Sequence, residues 1–145
     1  QEDTDLITIG DVNEAKAIEL GFWLSKQFPD FSNFEAGYFN AEDPDSLKQI
    51  GDFDVIISAL PARYNLELAR SAIKGRVHFC DLGGVTAITL AMKETLDKSA
   101  KANHLSVIPD CGLMPGLGVM VARKLVNDSI IAAPESSYRD VLIYV

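Results

Sequence analysis

Short apolar runs alternate along this chain with stretches in which apolar residues recur every three or four positions, a pattern that predicts strands each followed by a helix. Leu6-Ile7-Thr8-Ile9 is a compact β-rich run closed by Gly10-Asp11, after which Ala15, Ile18 and Phe22 recur at helical spacing through about Phe28, before Pro29. Phe34 to Phe39 gives a second, weaker strand, and Asp43-Pro44-Asp45-Ser46 reads as a capped helix start for Leu47 to Ile50. Val55 to Ala59 is the clearest strand. The helix after it sets Leu66, Ala69 and Ile73 on one face and reaches Gly75 where a left-handed residue is expected to end it. Val77 to Cys80 is the fourth strand. Ile88, Met92, Leu96 and Ala100 step by four along the next helix, whose outer face carries Lys93, Glu94, Asp97, Lys98 and Lys101. Leu105 to Ile108 is the fifth strand and Pro115 to Val126 the last helix.

Strands alternating with helices of about a dozen residues predict right-handed crossovers and an α/β fold: a doubly wound parallel sheet covered on both sides. In such sheets a ligand lies beyond the carboxyl ends of the strands, where strand order reverses. Three strand ends share one grammar, an apolar run followed by small or acidic residues and then a helix: Ser58-Ala59-Leu60-Pro61, Asp81-Leu82-Gly83-Gly84 and Pro109-Asp110-Cys111-Gly112. The expectation is one crevice on which Asp11, Pro61, Gly84 and Cys111 converge.

The 145 residues, 48% of them hydrophobic, suffice for a single domain with a core, and Lys+Arg 13 against Asp+Glu 21 give a net charge of -8. That charge repels a phosphate backbone or an anionic membrane on average, so neither nucleic acid nor membrane is expected as a partner. Cys80 and Cys111 form neither a Cys-x-x-Cys pair nor a metal-ligand spacing with histidine, so no metal site is expected and a reducing cytoplasm fits. No apolar run approaches the roughly 20 residues that cross a bilayer. The start carries no signal-peptide pattern. Because the chain opens without Met and stops on Val141-Leu142-Ile143-Tyr144-Val145, a strand-like run, both ends read as cut.

Several residues are candidates for chemistry. Asp11 ends a strand and opens a helix, where a nucleotide-binding unit places a carboxylate on the hydroxyls of an adenosine ribose and thereby favours NAD over NADP; an ordinary helix cap at Asp11 or Asn13 is the plainer reading. Ser58, Ala59, Leu60 and Pro61 offer small residues against which a cofactor can lie, or a tight strand-to-helix turn and nothing more. Asp81 with Leu82, Gly83 and Gly84 joins a carboxylate to glycines that permit close approach or positive φ, and the same glycines serve a loop that merely has to turn. Asp110 can hold a substrate ammonium or move a proton. Cys111, near a helix start, can have a lowered thiol pKa, yet a lone cysteine is more often a packing residue. His78, inside a strand, reads as packed or hydrogen-bonded, and His104 as solvated in a turn.

Val55-Ile56-Ile57-Ser58-Ala59-Leu60-Pro61, Asn65, Ala69, Ala72-Ile73, His78-Phe79-Cys80-Asp81-Leu82-Gly83-Gly84 and Pro109-Asp110-Cys111-Gly112-Leu113-Met114-Pro115-Gly116 together resemble the saccharopine dehydrogenase superfamily, and the last two motifs resemble its lysine 6-dehydrogenase-like branch. The likeness runs from about Leu6 to Val126. It implies part of a Rossmann-like NAD(P)-binding domain, from an oxidoreductase acting on the amine-bearing carbon of lysine, saccharopine or a similar amino acid. On that likeness Asp11 binds the adenosine ribose, Ser58 to Pro61 line the nicotinamide side, and Asp81 to Gly84 with Asp110, Cys111 and Gly112 border the reacting carbon, Asp110 and Asp81 being the candidate acids. The family's first strand and glycine-rich loop are expected before Gln1, since no Gly-x-Gly-x-x-Gly occurs among the ten glycines. Residues 1–130 are then a partial dinucleotide-binding domain, and 131–145, with a strand at Tyr138 to Val145, lead to a substrate domain; the full-length protein is expected to be a cytoplasmic homodimer and the 145 residues inactive alone. Two other readings stay open: a non-catalytic module that senses a metabolite or docks a partner, and an amidohydrolase-like or thiol-based enzyme using Cys111.

Overall fold

The structure is a computed structural model describing residues 6–30 and 33–135. The strand expected at Tyr138 to Val145 lies outside the described residues. The chain divides into two compact units, meeting between Lys48 and Gln49.

The first unit holds β1 (Ile7–Asp11), α1 (Glu14–Gln27), β2 (Phe34–Tyr38) and all but the last residue of α2 (Pro44–Gln49). β1 and β2 pair in parallel from Ile7↔Phe34 to Asp11↔Tyr38. Asn13 caps α1 by accepting from the Lys16 N–H, and Asp11 Oδ1 accepts the Asn13 N–H at 2.7 Å. Ala17 and Gly21 are the buried positions of α1. A Cβ on Gly21 would touch Ile9 and Ala36 only at ordinary van der Waals distance, so the helix meets its sheet through small residues. Asp43 caps α2: the Asp45 N–H first, then the Ser46 hydroxyl and N–H, hold its carboxyl below its ordinary value. The cap is therefore intact at neutral pH and is lost as acid protonates it.

The second unit carries β3 (Val55–Ser58), α3 (Asn65–Gly75), β4 (His78–Asp81), α4 (Thr86–Ala102), β5 (Val107–Ile108) and α5 (Gly118–Ala132). The sheet order is β3-β4-β5, all parallel, with Ser58 opposite Asp81 and Cys80 opposite Ile108. Because side chains alternate across a strand, Ile56, Ser58, Phe79, Asp81 and Val107 share one face. Phe79, Ser58 and Asp81 on it are buried, together with Leu68, Ala69, Ala72 and Met92 of α3 and α4. His78 holds β4 to β5 as a hydrogen-bonded residue, its Nδ1 accepting the Ser106 N–H at 3.0 Å.

Two expectations, on how α3 ends and where the last helix begins, need correction. Gly75 does not take the left-handed position at the end of α3. Arg76 does, at φ 63°, and the Val77 N–H closes the helix onto the Ala72 carbonyl at 2.8 Å. Gly75 is required for proximity instead, since a Cβ there would sit 2.8 Å from the Gly51 Cα. Within the second unit, α3 and α4 pack on the face of Phe79 and Asp81, while Val55, Ile57 and Ile108 on the other face are 53%, 69% and 55% exposed. Successive right-handed crossovers that advance in one direction leave α3 and α4 on the same side. The last helix begins at Gly118 rather than Pro115, after an irregular turn over Leu113–Leu117. No helix among the described residues is long and apolar enough to cross a membrane.

Candidate active site

The carboxyl ends of β3, β4 and β5 bring three loops into one row, and hydrogen bonds join each loop to the next. The Leu82 N–H donates to the Ser58 carbonyl at 3.3 Å, and the Cys111 N–H to the Asp81 carbonyl at 2.7 Å. At the first strand end the Ser58 hydroxyl turns inward, donating to Asn65 Oδ1 at 2.7 Å, so the rim is formed by Ala59, Leu60 and Pro61. Pro61, at φ -52°, leads into a single turn over Ala62–Tyr64.

Asp81 is the junction of the other two loops. Its Oδ1 accepts the Gly83 N–H at 2.6 Å and the Asp110 N–H at 3.1 Å, while Oδ2 is buried with no partner. The Asp81→Ala variant orphans two backbone donors, a loss offset in part by removal of the unpaired oxygen. Chemical denaturation is expected to register a cost of about 2–3 kcal/mol. A change below about 0.5 kcal/mol, the size of an ordinary surface substitution, would contradict this role.

Asp110 is half-buried and left-handed at φ 64°, with Oδ2 accepting from the Thr89 hydroxyl at 2.9 Å. Gly83 and Gly84 lie beside it at φ 78° and 123°. A Cβ on Gly83 would run into the Asp110 carboxylate and lie 3.0 Å from its Cα; a Cβ on Gly84 would lie 3.5 Å from the Ala62 side chain. Gly112 presses on the Leu82 carbonyl group, its Cβ position 3.1 Å from the carbonyl carbon. Gly83 and Gly84 thus form a side-chain-free stretch of backbone against which Asp110 and Ala62 pack.

The thiols differ. Cys111 is exposed, whereas burial, reinforced by the charges of Cys111 and Asp81, pushes the Cys80 thiol up from its ordinary value. Iodoacetamide at mildly alkaline pH is therefore expected to label Cys111 about tenfold faster than Cys80, because the thiolate is the nucleophile and Cys80 is partly buried with its thiol pushed towards the protonated form. Peptide mapping by mass spectrometry checks this, and equal labelling would contradict it.

Of the residues singled out in the sequence, Ser58 to Pro61, Asp81 to Gly84 and Asp110 to Gly112 stand along this one row; Asp11 stands at the end of β1, in the first unit. Thr89 and Arg63 were not singled out. Thr89 lies next to the apolar Ile88 near the start of α4, a polar position that periodicity alone does not distinguish from a solvated one.

The family model described as saccharopine dehydrogenase NADP binding domain matches residues 1–107. The chain is 31% identical over 101 residues to the alpha-aminoadipic semialdehyde synthase of Arabidopsis thaliana, a match covering 69% of this chain and 9% of that protein. Among solved structures it is similar to the apo histidine-tagged saccharopine dehydrogenase (L-Glu forming) from Saccharomyces cerevisiae, with a TM-score of 0.66 and 21% identity, covering 92% of this chain and 27% of that one. At that identity the likeness speaks for the fold, which is the Rossmann-like α/β arrangement. The chain spans well under two thirds of either protein's length.

Proposed function

The chain belongs to the saccharopine dehydrogenase NADP-binding domain family, and we propose that it is the nucleotide-holding part of an oxidoreductase that works on the amine-bearing carbon of a lysine- or saccharopine-like amino acid, in the manner of the lysine 6-dehydrogenase-like branch. The observation that carries the reading is the carboxylate of Asp110 fixed beside a bare glycine pair at the carboxyl ends of three parallel strands. A nicotinamide nucleotide fits that row. The rim of β3 presents small or apolar residues, and any side chain at Gly83 would displace the Asp110 carboxylate. Ala59, Leu60 and Pro61 with Leu82, Gly83 and Gly84 would hold it, and Ser58 would support the rim from beneath. When bound, the nucleotide accepts or delivers the hydride.

The chain's own residues do the rest. Asp110 holds the substrate ammonium or takes the proton that leaves nitrogen, and its fixed carboxylate needs little reorganisation to do either. Asp81, buried and committed to two N–H groups, keeps the Asp110 backbone in place; Thr89 aims the Asp110 carboxylate. Cys111 and Gly112 border the reacting carbon on the same loop.

Asp11 is proposed to accept the adenosine ribose hydroxyls, where its charge opposes a 2′-phosphate and favours NAD. In the intact gene product, Asp11→Ser is expected to shift the NADPH:NADH affinity ratio towards NADPH by about tenfold, the worth of roughly one lost charge contact. An unchanged ratio would remove Asp11 from the role. Amine-dependent reduction of NAD+ or NADP+ by the intact gene product, followed across lysine, saccharopine and related amino acids, tests the whole reading; nucleotide binding without turnover of any of them would favour a sensing module.

A further inference from the structure

The row of loops contains a cation that the proposed chemistry has not used. In the stretches 58–64, 81–86 and 109–117, Arg63 is the single basic residue. Its guanidinium stacks over the Tyr64 ring, 4.5 Å from the centroid, and one of its N–H groups donates to the Tyr64 hydroxyl at 3.0 Å. Those two contacts fix the plane of the guanidinium, leaving other N–H donors of the fork unused. No carboxylate pairs with it among the described residues; the ion pairs lie elsewhere, along α2, α3, α4 and α5.

Its place matters as much as its chemistry. Arg63 adjoins Ala62, whose side chain is the nearest neighbour of the Gly84 Cβ position, while the Gly83 Cβ position meets Asp110. The loop that carries Arg63 thus packs on Gly84 through Ala62, and Asp110 packs on Gly83, so a basic and an acidic residue come from the loops on either side of the Gly83-Gly84 backbone. Asp81, the other acid of the row, is buried and tied to backbone N–H groups. One cation and one anion carried on loops of the same row are the complement of a zwitterion.

We propose that Arg63 is the subsite for the α-carboxylate of the amino-acid substrate, opposite the Asp110 subsite for its amine. This rests on the functional reading above and deepens it, because it makes the carboxylate, and not only the amine, a requirement for binding. A planar guanidinium meets a carboxylate through two parallel N–H···O bonds, a geometry that lysine cannot reproduce. A nucleotide phosphate has the same oxygen-pair chemistry and is the other possible occupant, so the test must separate the two.

The experiment compares wild type, Arg63→Gln and Arg63→Lys in the intact gene product, measuring the binding of NADH and NADPH and of L-lysine, L-ornithine and L-saccharopine. Cadaverine and putrescine serve as the counterparts of lysine and ornithine that lack the carboxylate. Wild type is expected to prefer the amino acid to its decarboxylated counterpart by tenfold or more. Arg63→Gln is expected to erase most of that preference, and Arg63→Lys to restore only a part, with nucleotide affinity changed less than threefold. Retention of the full preference in Arg63→Gln overturns the subsite while leaving the functional reading standing. Loss of nucleotide affinity with the preference intact overturns it in favour of a phosphate contact. Failure of wild type to bind any of the three amino acids overturns both.

Discussion

Gly83→Ala is expected to be strongly destabilising, costing about 3 kcal/mol and lowering the melting temperature by roughly 10 °C. Two independent penalties combine there. The backbone stands at φ 78°, where any Cβ is strained, and the added methyl would have to displace the Asp110 carboxylate and a backbone atom 3.0 Å away. Displacing Asp110 also pulls at its N–H bond to Asp81 and at the Thr89 hydroxyl, so the loss spreads through both loops. Gly37 in β2 is the control: nothing lies within 4 Å of its Cβ position and its φ is not positive. Gly37→Ala is expected to be neutral within about 0.5 kcal/mol. Calorimetry of both variants checks the pair, and equal melting temperatures would contradict the packing described.

Asp110→Asn separates charge from shape. Asparagine tolerates a left-handed backbone better than most residues, and its side-chain oxygen can still accept from Thr89. The variant is therefore expected to melt within a few degrees of wild type. Yet it can neither attract an ammonium as a full charge nor take a proton, so turnover of the amino-acid substrate is expected to fall by about 10²–10⁴-fold, the usual worth of a positioned acid or base. The loss should exceed any change in nucleotide affinity. Turnover within a factor of about three of wild type would take Asp110 out of the chemistry, since even the low end of that range is far larger.

Much of this was legible because local chemistry and tertiary demand agree. The strands read at Val55 to Ala59 and Val77 to Cys80 form, within one residue at each end, as Val55–Ser58 and His78–Asp81, and Asp43-Pro44 announces α2 by the same hydrogen bonds that hold it. The acidic and glycine-rich strand ends proclaimed a row of loops, and Ser58 to Pro61, Asp81 to Gly84 and Asp110 to Gly112 stand together there. What stayed hidden depends on through-space neighbours. Gly75 read as a left-handed terminus because glycine usually serves that purpose, whereas its real constraint is Gly51, distant in sequence and close in space. The anchoring of Asp81 by bonds to Gly83 and Asp110 could not be inferred from a strand end alone, nor could the Thr89 hydroxyl on Asp110. The irregular turn before α5 was missed since Pro115 usually marks a helix start.

The account stands or falls on whether the row formed by β3, β4 and β5 receives a nicotinamide nucleotide. Hydrogen exchange read by mass spectrometry on the intact gene product, with and without saturating NADH or NADPH, asks this of the loops themselves. Slowed exchange across Leu82–Gly84 and Asp110–Gly112 in the presence of nucleotide is the predicted result. Unaltered exchange in those loops at a nucleotide concentration that saturates the protein would contradict it.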